Sequence, residues 1–393
     1  MTFEFATAAR IAFGPGAVRQ AAAAVAALGV RAALLVTGRA VERAAPLRAD
    51  LVAHGVAVTT FPVTGEPTIE DARAGARAVA DAKAGAVIAF GGGSAVDAGK
   101  AIAALAANGG DPLDYLEVVG AGRPLAQPSL PFVAIPTTAG TGSEVTRNAV
   151  LAVPEARVKA SLRSAFMLPR LAVVDPDLLA PLPREVIASS GLDALSQVIE
   201  PFVSARANPL TDALAREAIR RSPPALRAAH RAGLTGADDQ TVGVRADLAF
   251  TSVCGGLCLA NAGLGAVHGF AAPAGGMLGA AHGALCAAFL APVMSANLGA
   301  LRARAPEHPA LARFHELAAL LTGAPLAEVT AEDGIAAVAD LCRALEIPGL
   351  GRQGLDAAEI GPLVAKAKVA SSMRGNPVTL TDRELIEIVE RAL

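Results

Sequence analysis

The chain has 393 residues, long enough for two cores, and 53% of them are hydrophobic, carried by Ala and Val more than by Leu and Phe. Lys plus Arg (34) nearly cancel Asp plus Glu (36), the net charge is -2, and there is no Trp and one Tyr. This composition excludes a polyanion-binding surface and a base-stacking face, so no nucleic-acid partner is expected.

The opening MTFEFATAARIAFGPGAV has no basic segment followed by an apolar one, so no export signal is read there. From Arg10 the pattern is a strand, an FGPG turn and an Ala-rich helix over 17–28. A buried strand over 32–37 then runs into Gly38-Arg39, followed by a helix over 41–54, a strand over 56–61 and a helix over 68–84. Apolar strands alternating with helices predict a parallel, doubly wound α/β sheet, with ligands at the carboxyl ends of its strands.

The next strand, 86–90, ends in Gly91-Gly92-Gly93-Ser94, and a helix opens with Ala95-Val96-Asp97. Glycines let backbone N–H groups approach an anion, and a helix N-terminus adds about half a positive charge, so a phosphate is expected there. The run is neither GxGxxG nor GxxxxGK[ST]. A second polar loop follows the strand over 132–135 and carries Thr137, Thr138, Thr141 and Ser143, whose hydroxyls suit pyrophosphate, ribose or a carboxamide. The strand over 171–174 closes this half, and the domain boundary is expected near residue 180, giving 1–179 and 180–393.

Beyond the boundary the periods are helical throughout, ending in a last helix capped by Thr381 and Glu384. Asp193 and Gln197, four apart, point off one face of an otherwise apolar helix, where an unpaired carboxylate would be costly. Residues 248–301 contain no Asp, Glu, Lys or Arg over 54 positions, yet hold His268 and His282, 14 apart. Recurrent Ser, Asn, Pro and Gly argue for buried core over a membrane span, and a helix-turn-helix would bring both imidazoles to one point. Cys254, Cys258, Cys286 and Cys342 lack CxxC spacing and are expected to be reduced, buried and inert, as suits a cytoplasmic enzyme. Lys159 is expected to be a surface lysine.

The loops GGGSAVDAGK and PTTAGTGSE, the helix GLDALSQVIEPFVS, the segment ANPLTDALAREAI and the pair HGFAAP and AAHG occur in an order that resembles the iron-containing (group III) alcohol dehydrogenase family. The resemblance covers essentially the whole chain. It implies an α/β nucleotide-binding domain, an all-helical domain of the dehydroquinate-synthase-like type, NAD or NADP held in a cleft between them, a divalent metal (Fe2+ or Zn2+), and a homodimer or larger homo-oligomer. The family's metal ligands fall on Asp193, Gln197, His268 and His282, with Gln197 where the family has His. A further family His, beside the reacting alcohol, falls on Ala272. The implied activity is hydride exchange between a nicotinamide and a small alcohol, aldehyde or ketone, with the metal polarising the substrate oxygen near His268 and His282. The alternative is a metal-independent reductase of an oxo-acid, like maleylacetate reductase. NAD-preferring members place an Asp where this chain has Gly38, followed by Arg39, so NADPH is expected to be tolerated.

Overall fold

A computed structural model describes residues 2–156 and 158–393 and resolves two compact units. One comprises Ala6–Thr138 and Gly142–Ala180; the other comprises the N-terminal residues up to Phe5, Ala139–Thr141 and Pro181–Leu393.

The first unit is built on a parallel sheet of β1 (Ile11–Phe13), β2 (Ala32–Thr37), β3 (Ala57–Pro62), β4 (Ala86–Gly91), β5 (Phe132–Pro136) and β8 (Leu171–Val174), in the order β1-β8-β5-β4-β2-β3. The antiparallel hairpin of β6 (Asn148–Val153) and β7 (Val158–Arg163) stands apart from it. Successive strand residues face opposite sides, and both sides are covered. Leu35, Ile88 and Val133 pack with Leu47 and Leu51 of α2 (Ala45–Ala53) and Val25 of α1 (Ala21–Ala26). Leu34, Val36 and Val87 pack with Val79 of α3 (Ile69–Asp81) and with Val96 and Ile102 of α4 (Gly93–Asn108). A single turn, α5 (Pro112–Tyr115), follows. The chain passes from β2 outward to β3, then returns to the other side of β2 for β4. The gap between the carboxyl ends of β2 and β4 is therefore the switch point of the sheet.

Two details depart from the expectation. The helices expected to begin at 17 and 41 each start with a tighter 3-10 turn, Ala17–Gln20 and Val41–Ala44. At the first, the Asp175 carboxylate accepts from the N–H groups of Gly16 and Val18 and pins the entry. The hairpin was not anticipated, although Ala149, Leu151 and Val153 alternate as buried positions along β6. It also corrects Lys159: this residue lies on β7, mostly buried, with its Nζ 3.2 Å from a Glu66 oxygen.

The hairpin is tied to α4 by a buried charged knot. Lys100 donates to the Ser143 carbonyl at 2.9 Å, to Thr146 Oγ1 at 3.0 Å and to the Asn148 carbonyl, and sits 3.3 Å from Asp97. Close by, Glu144 is 2% exposed and its Oε1 has no hydrogen-bond partner. Burial pushes its carboxyl up from 4.5 to about 7, against its own backbone hydrogen bond and the charge of Lys100. A raised folded-state pKa means that the stability associated with this group is whole below pH 4.5 and is lost as pH rises through 7. At about 1.4 kcal/mol per unit, the loss is about 3 kcal/mol. In urea titrations at pH 5 and pH 8, Glu144→Gln is expected to remove about 2.5 kcal/mol of the difference between the two conditions, since the unfolded carboxyl is already mostly ionised at pH 5. A variant as pH-sensitive as its parent would assign the titration elsewhere.

The second unit is helical, as the periods predict: α6 (Arg184–Val203), α7 (Pro209–Ala232), α8 (Asp239–Ala262), α9 (Ala266–Leu278), α10 (His282–Arg304), α11 (Ala310–Thr322), α12 (Ala331–Ala344), α13 (Ile360–Lys368) and α14 (Asp382–Ala392). The charge-free stretch forms the end of α8, all of α9 and most of α10. By length and composition alone, α8 and α10 could cross a membrane. Here they are packed within the unit, α8 against α6 and α7, and α10 against α6 and α9. Asparagines close one end: Asn376 and Asn297 bond each other reciprocally at 2.7 and 3.1 Å, and Asn376 Oδ1 accepts the Ala266 N–H at the start of α9.

Candidate metal and cofactor sites

On α6, Asp193, Gln197 and Glu200 lie at positions i, i+4 and i+7, hence on one face, and all three are buried. That face meets the start of α9. Glu200 Oε1 accepts the Val267 N–H at 2.7 Å and Oε2 accepts from His268 Nδ1 at 2.6 Å. A carboxylate thus caps the positive end of α9 and orients its histidine at the same time. Gly265 makes the approach possible, since a Cβ there would lie 2.9 Å from Glu200 Oε1 and from Asn376 Oδ1.

With Nδ1 committed to Glu200, the Nε2 edge of His268 faces Asp193 Oδ1 at 3.2 Å. His282, the first residue of α10, brings its Nε2 to 3.9 Å from the same oxygen, and the two imidazole centroids are 5.4 Å apart. A neutral His268 would turn a lone pair on Nε2 toward a carboxylate oxygen in a dry site, and two acceptors so placed repel unless a cation lies between them. Either a proton or a metal ion meets that requirement, and the donor set of one carboxylate and two imidazoles suits Fe2+ or Zn2+. With protons alone, burial pulls His268 down, but Cys286, Asp193 and Glu200 together hold it well above its usual value. His282 is likewise raised, with burial opposed by Cys286 and Asp193. Burial works against ionisation of Asp193, yet the hydrogen bond to His268 and the charge of His282 keep its carboxyl low.

Gln197 also reaches this point. Its Nε2 donates to the Gly140 carbonyl at 3.2 Å, while its buried Oε1 has no partner. Cys286 corrects the expectation of four inert cysteines. One turn beyond His282 on α10 and fully buried, its Sγ lies 3.6 Å from His282 Nε2 and 3.7 Å from His268 Nε2. Burial raises the thiols of Cys254 and Cys342 to about 12 and holds that of Cys258 well above its ordinary value, as inert thiols require. Sequence reasoning missed Glu200 and Cys286, although i+7 from Asp193 and i+4 from His282 are spacings it can read. The remaining histidines stand apart; His315, for instance, bonds the Val329 carbonyl at 2.8 Å.

In the α/β unit, the carboxyl ends of β2, β4 and β5 lie level, with Thr37 beside Phe90 and Gly91 beside Pro136. Gly38, Gly91, Gly92, Gly93, Ser94, Thr137 and Thr138 are thereby gathered along one edge. Side chains are missing where they would collide. A Cβ on Gly91 would lie 3.2 Å from the Gly38 nitrogen, and one on Gly92 3.3 Å from Thr138 Oγ1. Gly92 caps α4 with no side-chain bond, so the first N–H groups of that helix are open to an anion. Arg39 is exposed just past β2, and its Nη2 donates to the Thr64 carbonyl at 3.1 Å. Arg43 instead bonds the Leu178 carbonyl at 2.6 Å. Asp97 and Ser143 are engaged with each other, and Asp97 Oδ2 also accepts the Val150 N–H at 3.0 Å. Thr141 belongs to the short segment that clusters with the helical unit.

Comparison with known proteins matches this arrangement across the chain. The model for iron-containing alcohol dehydrogenases matches residues 8–176, and that for the C-terminal region of the same family matches residues 187–393. Choline dehydrogenase of Bacillus subtilis (strain 168) is 33% identical over 394 residues, covering 99% of this chain and 94% of that protein. The 1,3-propanediol dehydrogenase of Klebsiella pneumoniae is 32% identical over 391 residues, covering 97% and 96%. A 1,3-propanediol oxidoreductase crystal structure superposes over 100% of both chains, with a TM-score of 0.91 and 30% identity. Fold and site together define an alcohol dehydrogenase built on the dehydroquinate-synthase-like fold. Within that class, the chain belongs to the iron-containing alcohol dehydrogenase family. It is an NAD-dependent oxidoreductase that interconverts an alcohol and a carbonyl compound by hydride transfer.

Proposed function

We propose that this chain acts on small alcohols and their aldehydes with a divalent metal, Fe2+ or Zn2+, held by Asp193, His268 and His282 and with Gln197 beside them. Residues 1–179 would carry NAD or NADP, with 180–393 as the metal and substrate domain. The observation that carries the reading is the commitment of His268 Nδ1 to Glu200, which leaves Nε2 facing the Asp193 carboxylate at 3.2 Å. This convergence favours the metal-assisted reaction over the metal-free reduction of an oxo-acid.

When bound, the metal supplies a Lewis acid that polarises an alcohol or carbonyl oxygen. The chain's own residues do the rest. Glu200 fixes the tautomer of His268, and the burial of the Asp193 and His268 side chains, 3% and 6% exposed, strengthens the electrostatics between them. The glycine loops after β2 and β4, together with Thr137 and Thr138, hold the cofactor phosphates and ribose. Ala272 has no group to take a proton, so this chain offers no side chain at that position for the alcohol proton; a bound nicotinamide would supply the hydride acceptor. Gly38 and Arg39 leave the adenosine ribose without a repelling carboxylate, and we assign tolerance of NADPH to them. A cytoplasmic homodimer or larger homo-oligomer is the assembly that fits the family resemblance.

The test is metal content by mass spectrometry on protein purified anaerobically without chelator, with alcohol oxidation assayed before and after chelation and with NAD and NADP in parallel. Near-stoichiometric Fe or Zn, activity lost to chelator and restored by either ion, and turnover with both cofactors are expected. Full activity in metal-free protein would overturn the metal assignment, and no turnover with NADP would overturn the role given to Arg39.

A further inference from the structure

Resting on the metal reading above, we propose that Cys286 is the fourth protein ligand, taking as a thiolate the place that the family resemblance gives to residue 197. Asp193, His268, His282 and Cys286 each offer a donor atom, and the four atoms lie within 4.8 Å of one another. Four of the six edges of this cluster can be set beside those of a coordination sphere, and they scatter about its values. Bond lengths of about 2.0–2.2 Å to nitrogen or oxygen and about 2.3 Å to sulfur in a tetrahedron require donor atoms about 3.3–3.6 Å apart. The two sulfur-to-nitrogen edges are 3.6 and 3.7 Å, and the two nitrogen-to-oxygen edges are 3.2 and 3.9 Å.

Three helices bring the donors together. Asp193 comes from α6, His268 from the first turn of α9, and His282 with Cys286 from one face of α10, four residues apart. Cys286 is fully buried, and its sulfur has two imidazoles as its polar neighbours. Gln197 is turned to a different task. Its Nε2 donates to the Gly140 carbonyl at 3.2 Å, outside the cluster, and its Oε1, though buried and without a partner, is a neutral amide oxygen. An anionic sulfur is a stronger donor to a divalent ion than that neutral amide oxygen.

The exchange changes the chemistry of the centre. One carboxylate with three imidazoles leaves a divalent ion with one net positive charge, whereas carboxylate, thiolate and two imidazoles cancel it. Binding releases the thiol proton to solvent. A softer donor set around a neutral centre shifts selectivity from Fe2+ toward Zn2+.

Cobalt(II) titrated into the metal-free full-length protein tests this by absorption, without reference to turnover. A thiolate ligand gives a sulfur-to-cobalt charge-transfer band in the near ultraviolet, beside the visible bands of any tetrahedral cobalt site. The parent is expected to show both. Cys286→Ser should lose the charge-transfer band, keep visible bands and bind Zn2+ at least ~10-fold more weakly; Gln197→Leu should retain the charge-transfer band. Cys254, Cys258 and Cys342 stay in place throughout and serve as internal controls. Visible bands without a charge-transfer band in the parent would overturn the assignment of Cys286 while leaving the metal site standing. So would a charge-transfer band that persists in Cys286→Ser. No cobalt bound by the parent would instead overturn the metal site, and Cys286 with it. The parent spectrum decides the question even if the serine variant fails to fold.

Discussion

Replacing Glu200 with glutamine is expected to weaken divalent metal binding ~10–100-fold, although Glu200 offers the metal no atom in our assignment. Its two oxygens accept from the Val267 N–H and from His268 Nδ1. An amide has one oxygen and one NH2. If the oxygen keeps the Val267 N–H at the start of α9, the NH2 faces His268 and Nδ1 must become an acceptor. The ring proton then moves to Nε2, the atom that faces Asp193, and that nitrogen can no longer ligate. The loss is one of tautomer, with the fold kept. Titration of the metal-free variant with Zn2+, read by calorimetry beside its thermal midpoint, checks this. Parent-like affinity would show that His268 binds no metal through Nε2.

Gly283→Ala should be among the most damaging single methyl groups in the helical unit, and the one that strikes the site directly. A Cβ there would lie 2.1 Å from the Ser189 carbonyl oxygen and 3.3 Å from Asp193 Cβ. The first obstacle is backbone and cannot rotate aside, so α10 must draw back from α6 and carry His282 and Cys286 away from Asp193. Overpacking of this kind costs about 1–3 kcal/mol, and bound metal should fall with it. Gly299 supplies the control on the same helix: a Cβ there meets nothing within 4 Å. Alanine at 299 should be neutral or stabilising by up to about 1 kcal/mol, since glycine is the poorer helix former. Urea midpoints and metal content of the two variants separate a steric effect at the site from a general effect of alanine. Unchanged stability and metal content in Gly283→Ala would mean that the close approach of the two helices is dispensable.

The signals legible in the sequence were those with a short period. Strands over 32–37 and 86–90 are continuous apolar runs, and both became sheet because residues such as Leu34 and Leu35 must be covered on opposite faces. The helical character of everything beyond 180, the glycine loop at the end of β4, and Asp193 and Gln197 on one face follow from spacing alone. Burial of the 54-residue charge-free stretch followed from its composition. Tertiary structure decided which distant groups meet. Glu200 and His268 are 68 residues apart, and nothing local marks Glu200 as different from any helix carboxylate until α9 arrives with a free N–H and an imidazole. Cys286 has the composition of a core thiol, and only the crossing of α10 over α6 and α9 sets it between two histidines. Asp97 and Ser143, which lie with the two loops expected to hold a cofactor, also bond each other, a pairing across 46 residues that no local spacing announces. Periodicity determines which face of an element is buried; the identity of the opposing face is a property of the packed chain, because contacts between distant segments are chosen by mutual fit of shape and charge.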